Sequence, residues 1–286
     1  MAEVEPLPSS SRRREIGAMS ARSLLLTMLG EFVHPRGRPV WTATLIEAMG
    51  ALGIEEKSAR QALARTASEG LLTSIRDGRR VQWALTEHGD TLLREGTDRI
   101  YGFLRSPHPW DGRWLVLTVS LPETQRRLRH RLRTRLTWLG LGSPTPGLWV
   151  TPEAGHLEEV RQVVHDLGLD DQSFAWVGPA TGIGDERQLL DDAWDLAAVE
   201  DLYNTFLRLF QSRAPETGTG SFVAQVELVQ EWRRFPFLDP DLPRELLDPG
   251  WPGLRASELF HDQHARWHRR AQAEWDRMDQ TAAGRS

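Results

Sequence analysis

The sequence contains no cysteine, one lysine and no long apolar run. Without cysteine, disulfide bonds, thiol catalysis and zinc–thiolate sites are excluded. No stretch approaches the roughly 18 to 20 consecutive apolar residues that cross a bilayer. The first 20 residues also lack the apolar core of a secretory signal. These absences predict a cytoplasmic protein without a membrane segment.

The composition is that of a globular chain with two or three domains: 286 residues, 40% hydrophobic and 26% charged. Its formal net charge is -5, but the sign is not evenly distributed. Residues 9–80 hold 12 Lys or Arg against 7 Asp or Glu. A locally basic module on an acidic body is typical of a protein that touches nucleic acid with one face.

Three apolar periodicities in this basic region predict three helices. The first covers residues 20–33 with Ser20 as N-cap, and the second runs from Val40 to Leu52. The third runs from Glu55 to Ser68. Its expected buried stripe consists of small or aliphatic residues, namely Ala59, Ala62, Leu63 and Ala67. Small buried residues would allow this helix to pack closely on the one before it.

The opposite face of the third helix carries Lys57, Arg60, Gln61 and Arg65, with no acid among them. Arg and Gln can pair with base edges in the major groove, and Lys can bind phosphate. For this helix taken alone, a solvated basic face is an equally good interpretation. The stripe is therefore a candidate DNA-reading surface that needs a second observation.

A predicted β-hairpin supplies that observation. Apolar residues alternate over 71–75 and 81–85, and Asp77-Gly78 between them is a strong turn signal. Arg76, Arg79 and Arg80 crowd the tip. Three helices followed by a basic hairpin predict a winged helix-turn-helix over residues 20–106, after a disordered arm over 1–19. The third helix would read the major groove, and the wing would bind adjacent phosphate or the minor groove.

The rest of the chain predicts two further domains, and the fold class is α+β. Strand–helix–strand–helix–strand patterning over residues 109–180 favours a ferredoxin-like domain. Its arginine-rich helix, 123–138, could bind a phosphate-bearing ligand or a second subunit, or could be a solvated face; these alternatives stay open. Residues 188–277 read as a helical ligand-binding and dimerisation domain.

Two features of the C-terminal part raise other possibilities. The segment 231–253 is rich in proline and aromatic residues, whose rings we expect to be packed. His261, His264 and His268 share one helical face, as metal ligands would. Without a helical HExxH pattern, solvated or core-satisfied histidines are the better interpretation. No metal site, cofactor or catalytic residue is predicted, and the protein is expected not to be an enzyme.

Four stretches together resemble the PaaX-type transcriptional repressors, which control phenylacetate catabolism. They are "ARQALARTASEGLL", "GLGSPTPGLWVTP", "WDLAAVEDLYNTFLRLF" and "EWRRFPFLDPDLPRELLDPGWPG". The likeness implies a homodimer that binds an inverted-repeat operator on double-stranded DNA. It also implies release by an aryl-CoA thioester, typically phenylacetyl-CoA. The family's recognition-helix basic residues fall on Arg60 and Arg65, and no effector-binding residue can be carried over.

The same resemblance supplies the alternative function. The family's central domain is similar to the ferredoxin-like fold of CRISPR-adaptation nucleases, which implies a metal-dependent nuclease as the second hypothesis. Those enzymes keep an aspartate just after the first strand. Here Ser120 stands at that place, which argues against phosphodiester cleavage.

Overall fold

The computed structural model describes residues 20–105 and 109–284. The arm predicted for residues 1–19 lies outside this part. The described chain forms two compact units. The N-terminal unit comprises residues 20–105, 205–234 and 254–284, and the central unit comprises 109–204 and 235–253. Both contain helices, and each has a small antiparallel sheet, so the fold is α+β.

The helices are α1 (Ala21–Met28), α2 (Thr42–Ala51), α3 (Glu56–Ser68), α4 (Glu87–Gly102), α5 (Arg126–Trp138), α6 (Leu157–Asp166), α7 (Glu186–Ala193), α8 (Leu196–Phe210), α9 (Gly218–Trp232), α10 (Phe235–Leu238) and α11 (Gly253–Gly284). The strands are β1 (Val40–Trp41), β2 (Leu72–Asp77), β3 (Arg80–Leu85), β4 (Arg113–Val119), β5 (Gly142–Thr145), β6 (Leu148–Thr151) and β7 (Ser173–Pro179). No helix within the described ranges is both long and apolar enough to cross a membrane.

The core of the N-terminal unit is built on the apolar face of α1. The residues predicted for this face are fully buried: Leu24, Leu25, Met28, Leu29 and Phe32. Ser20 caps the helix as expected, since its Oγ accepts from the Ser23 amide at 3.1 Å. The Phe32 ring stacks on Trp275 of α11, with 5.0 Å between centroids. The same core therefore contains the start and the end of the described chain.

Two local features of this unit differ from the prediction. Val40 and Trp41 form strand β1, which pairs with β3, instead of the first turn of the second helix. An aromatic and a β-branched residue fit a pleated surface better than a helix start, and α2 begins at Thr42. Helix α1 also continues into a π-helical turn, Leu29–Val33, which the periodicity did not indicate.

The hairpin is present, but its turn lies one residue later than expected. Asp77 pairs with Arg80 across the two strands, so Gly78 and Arg79 are the turn residues. Gly78 has a φ of +60°, as glycine does at the first position of a type II′ turn. Arg79 consequently lies at the very tip.

The central unit has a four-stranded sheet in the order β5-β6-β4-β7, with every neighbouring pair antiparallel. On one face, Leu115 and Leu117 share a core with Leu132 of α5 and Val160 of α6. On the other, Trp114 packs in a cluster with residues of α7 and the proline-rich segment. Strand β5 was not predicted, since "GSPT" contains glycine and proline, which are depleted in strands.

Phe235 of the proline-aromatic segment is buried, as expected for its rings, whereas Phe237 is 37% exposed. Phe235 lies parallel to Tyr203 at 4.1 Å between centroids. The Tyr203 hydroxyl donates to Asp239 Oδ2 at 2.5 Å. Burial raises the pKa of Asp239 to about 6, although Tyr203 and the Asp241 amide donate to it. This buried carboxyl ties the segment to α8 within the central unit.

Candidate nucleic-acid interface

Helix α3 has one buried and one exposed face. Ala59, Ala62 and Leu63 are buried as predicted, whereas Ala67 is only half-buried and Thr66 is buried instead. The Thr66 hydroxyl donates to the Ala62 carbonyl at 2.8 Å, which satisfies it within the helix. The opposite stripe is exposed along its whole length. Its members are Lys57, Arg60, Gln61, Ala64, Arg65 and Ser68.

Two arginines of this stripe form only exposed ion pairs with neighbouring glutamates. Arg60 pairs with Glu56 at 2.8 Å, and its side chain is 59% exposed. Arg65 lies 3.6 Å from Glu69 and is 73% exposed. Exposed pairs of this kind contribute about 0 to 1 kcal/mol. Either guanidinium can therefore leave its glutamate for a stronger anionic partner at little cost.

The arginines of the hairpin differ from one another in their contacts. Arg76 and Arg79 are exposed, and their side chains make no hydrogen bond or ion pair with any residue in the described ranges. Arg80 is half-buried, and its guanidinium donates to the carbonyls of Ala282 and Ala283. Of the three arginines predicted to cluster at the tip, Arg76 and Arg79 therefore have no side-chain partner among the described residues. Arg80 is bonded to other parts of the protein.

An open groove separates the hairpin from α2 and α3. Its volume is about 620 Å³, and its lining includes Arg60 from α3 and Arg79 from the tip. Trp41, Thr42, Ile46 and Arg80 also line it, as do the acids Glu47 and Glu56. The structure therefore places the predicted base-reading helix and the predicted phosphate-binding tip on the same groove.

One buried polar cluster was missed by the sequence analysis. Glu31, in the π-helical turn, accepts from Gln225 at 2.9 Å and lies 2.9 Å from His264 Nε2. The Tyr101 hydroxyl also donates to this carboxylate. Burial raises the pKa of Glu31, but His264, Tyr101 and Gln225 together lower it by more, so the net pKa lies below 4.5. No local pattern reveals such a cluster, because its members come from four helical segments.

The three histidines of α11 do not form a metal site. His264 is engaged by Glu31 and Tyr101, while burial lowers the pKa of His261 and of His268. Among residues 20–105 and 109–284, no group of three His, Asp or Glu is arranged to hold an ion. Of the two interpretations left open for these histidines, His264 has partners inside the unit, whereas His268 is exposed.

Comparisons with known proteins show which family the chain resembles. Three family models match: "PaaX-like protein" over residues 20–89, "PaaX protein central Cas2-like domain" over 107–190, and "PaaX-like protein C-terminal domain" over 194–277. The chain is 30% identical to "Transcriptional repressor PaaX" of Escherichia coli strain K12 over 253 residues, 84% of this chain and 78% of that one. A solved structure, "Uncharacterized protein Rv0674 from Mycobacterium tuberculosis", shares the fold with a TM-score of 0.64 at 23% identity, covering 90% of this chain and 99% of that one. The chain belongs to the PaaX family.

Proposed function

We propose that this protein is a DNA-binding transcriptional repressor whose N-terminal unit binds duplex DNA as a winged helix-turn-helix. Helix α3 enters the major groove, and the β2–β3 hairpin is the wing. The observation that carries the proposal is the exposed stripe on α3, in which Lys57, Arg60, Gln61 and Arg65 follow one another without an acid. The E. coli relative, named a transcriptional repressor, supports the same function.

The roles of the side chains follow from their chemistry. Arg60, Gln61 and Arg65 read base edges, because planar donors form paired hydrogen bonds there. Lys57, Arg76 and Arg79 bind phosphates and set the register of the helix. For Arg80 the sequence predicts a phosphate contact as well, but its present partners are carbonyl groups of the protein.

The test is a DNA-binding titration with the full-length protein and the duplex that it enriches from a randomised library. Arg60→Ala and Arg65→Ala should each weaken binding by about 1 to 3 kcal/mol and relax the sequence preference. Arg266→Ala, which removes an exposed arginine of α11, is the matched control and should bind normally. Unchanged affinity in both α3 variants would refute the assignment of this helix.

An inverted-repeat operator requires two copies of the module, and the central unit offers a pairing surface. Its ferredoxin-like sheet has β7 as an edge strand. The strand "SFAWVGP" contains no charge, and its side chains Phe174 and Trp176 are 73% and 53% exposed. Natural edge strands usually carry charges or bulges that prevent pairing. An uncharged edge strand can pair antiparallel with the same strand of a second copy about a two-fold axis. The proposed partner of β7 is therefore a second copy of this chain.

The effector of the proposed repressor is an aryl-CoA thioester, typically phenylacetyl-CoA. Helix α5 carries Arg126, Arg127 and Arg131, which are exposed and have no ion pair within the described residues, so they are available to phosphates. Phenylacetyl-CoA should raise the melting temperature and change tryptophan fluorescence. Phenylacetate and free coenzyme A are the controls. No response to the thioester would contradict this effector class.

A further inference from the structure

Arg79 and Arg80 are neighbours with opposite surroundings. Arg79, at the turn, is exposed and unengaged in the described structure. Arg80 is the first residue of β3, and its guanidinium carbon lies 3.7 Å from the centre of the Trp41 ring. The same guanidinium donates to Ala283 O at 2.9 Å and to the carbonyl of Ala282. Arg80 is therefore held between an aromatic face and the end of α11.

The guanidinium donors of Arg80 suit the carbonyl groups at the end of α11. The last carbonyls of a helix have no partner within the helix, and this end carries partial negative charge. A guanidinium with several fixed donors can satisfy two of these carbonyls at once. Trp41 is fixed in turn, because β1 pairs with β3 and places Trp41 opposite Gln82. Arg80 also lines the groove beside α3, so a phosphate bound there would compete with these three partners for the guanidinium.

Other contacts fasten the last turns of α11 to the same part of the N-terminal unit. Thr44 of α2 donates to buried Asp279 at 2.9 Å, and Arg38 lies 3.3 Å from the other oxygen of that carboxylate. Asp276 pairs with Arg36 at 2.8 Å. Ala282 itself is 1% exposed. The end of the helix is thus a fixed support, and Arg80 is the contact by which the hairpin rests on it.

We propose that Arg80 is a positioning residue for DNA binding: it sets the place of the hairpin by bonding the carbonyl end of α11, while Arg79 makes the phosphate contact. Residues 282–284 thereby control DNA affinity without touching DNA. They lie beyond the family's C-terminal model, which ends at residue 277. This inference rests on the proposed function, since it assigns the support of the same DNA-binding surface.

The experiment compares Arg80→Gln, Arg79→Gln and a chain that ends at Thr281 and so lacks both acceptor carbonyls. A chain that ends at Gly284 is the control for truncation. Affinity for the enriched duplex is measured as a function of salt. Each phosphate contact contributes about 0.9 to the slope of log affinity against log salt. Arg79→Gln should lower the slope by about that amount.

Arg80→Gln and the chain ending at Thr281 should each weaken binding by about tenfold with an unchanged slope. Their combination should be no weaker than either one, because both remove the same contact. Arg80→Lys keeps the charge but lacks the fork, so it should restore only part of the affinity. A lowered slope in Arg80→Gln, or an additive loss in the combined variant, would overturn the positioning role.

Hydrogen exchange without DNA gives an independent readout. Amides of residues 76–81 should exchange faster in Arg80→Gln and in the chain ending at Thr281, and at the wild-type rate in Arg79→Gln. Normal exchange in the first two variants would overturn the inference even if the α3 variants bind as proposed. Conversely, if Arg60→Ala and Arg65→Ala bind DNA normally, the proposed function fails while the exchange data still decide whether α11 supports the hairpin.

Discussion

Glu31 Oε2 and His264 Nε2 lie 2.9 Å apart although 233 positions separate the two residues in the sequence. The Glu31 side chain is 8% exposed, and a buried charge is tolerated only when it is paired and hydrogen-bonded. Tyr101 from α4 and Gln225 from α9 complete its partners. A single carboxylate therefore joins α1, α4, α9 and α11 inside the N-terminal unit.

Replacing Glu31 with Gln should destabilise this unit most at neutral pH. The net pKa of Glu31 is below 4.5, so its carboxylate contributes stability above pH 4.5 that is lost as the pH falls through the lower folded value. Glu31→Gln should lower the free energy of unfolding by about 1 to 3 kcal/mol at pH 7. It should also flatten the acid side of the stability curve.

Urea unfolding from pH 3 to 7 checks this, with Glu95→Gln as the control, because Glu95 is an exposed acid of α4 in the same unit. An exposed substitution should change stability by less than about 0.5 kcal/mol. Equal effects of the two variants would contradict the assigned role of Glu31.

Asp239 should impose the opposite pH dependence on the central unit. Burial raises its pKa from 3.8 to about 6, so the stability it contributes is fully present below pH 3.8 and is lost as the pH rises through 6. Because the unfolded carboxyl is already partly ionised at pH 4, the expected loss between pH 4 and pH 7 is about 2 kcal/mol. Asp239→Asn should abolish this loss while still accepting from Tyr203. Urea unfolding over the same pH range tests this prediction, with the exposed Asp201→Asn as the comparison. If the unfolding free energy of Asp239→Asn kept the wild-type pH dependence, Asp239 would not be its source.

Charging the β7 edge should separate the proposed dimer. Phe174→Glu combined with Trp176→Glu places like charges opposite each other across the two-fold, which is destabilising in a paired sheet. Sedimentation at micromolar concentration should then show a monomer where the wild type is a dimer. Ile183→Glu is the control, since Ile183 is 93% exposed and lies outside β7, in the loop that follows it. A dimer that survives the double change would place the interface elsewhere.

Lys57, the only lysine of the chain, allows a specific test of a phosphate contact. Lys57→Gln should weaken binding to enriched and unrelated duplexes alike, and should lower the salt slope by about 0.9. Lys57→Arg keeps the charge and should retain the slope. If Lys57→Gln altered the preferred sequence instead, Lys57 would have to contact a base.

The sequence by itself determined the local elements of the strongly patterned regions, because periodicity reports which face of a helix is apolar. The buried face of α1 and the exposed stripe of α3 were both predicted residue by residue. On the buried face of α3, Thr66 takes the place predicted for Ala67. Ser20 caps α1 as predicted. These features depend on neighbours within a few residues.

Only the tertiary structure decided which of these faces meet. An apolar helix face accepts many partners, and packing complementarity selects among them. The stacking of Phe32 on Trp275, the burial of Glu31 beside His264 and the bonds of Arg80 to the end of α11 each join segments about 200 or more residues apart. Nothing in the spacing of arginines distinguishes Arg79 from Arg80; the carbonyl groups of a distant helix end make that distinction.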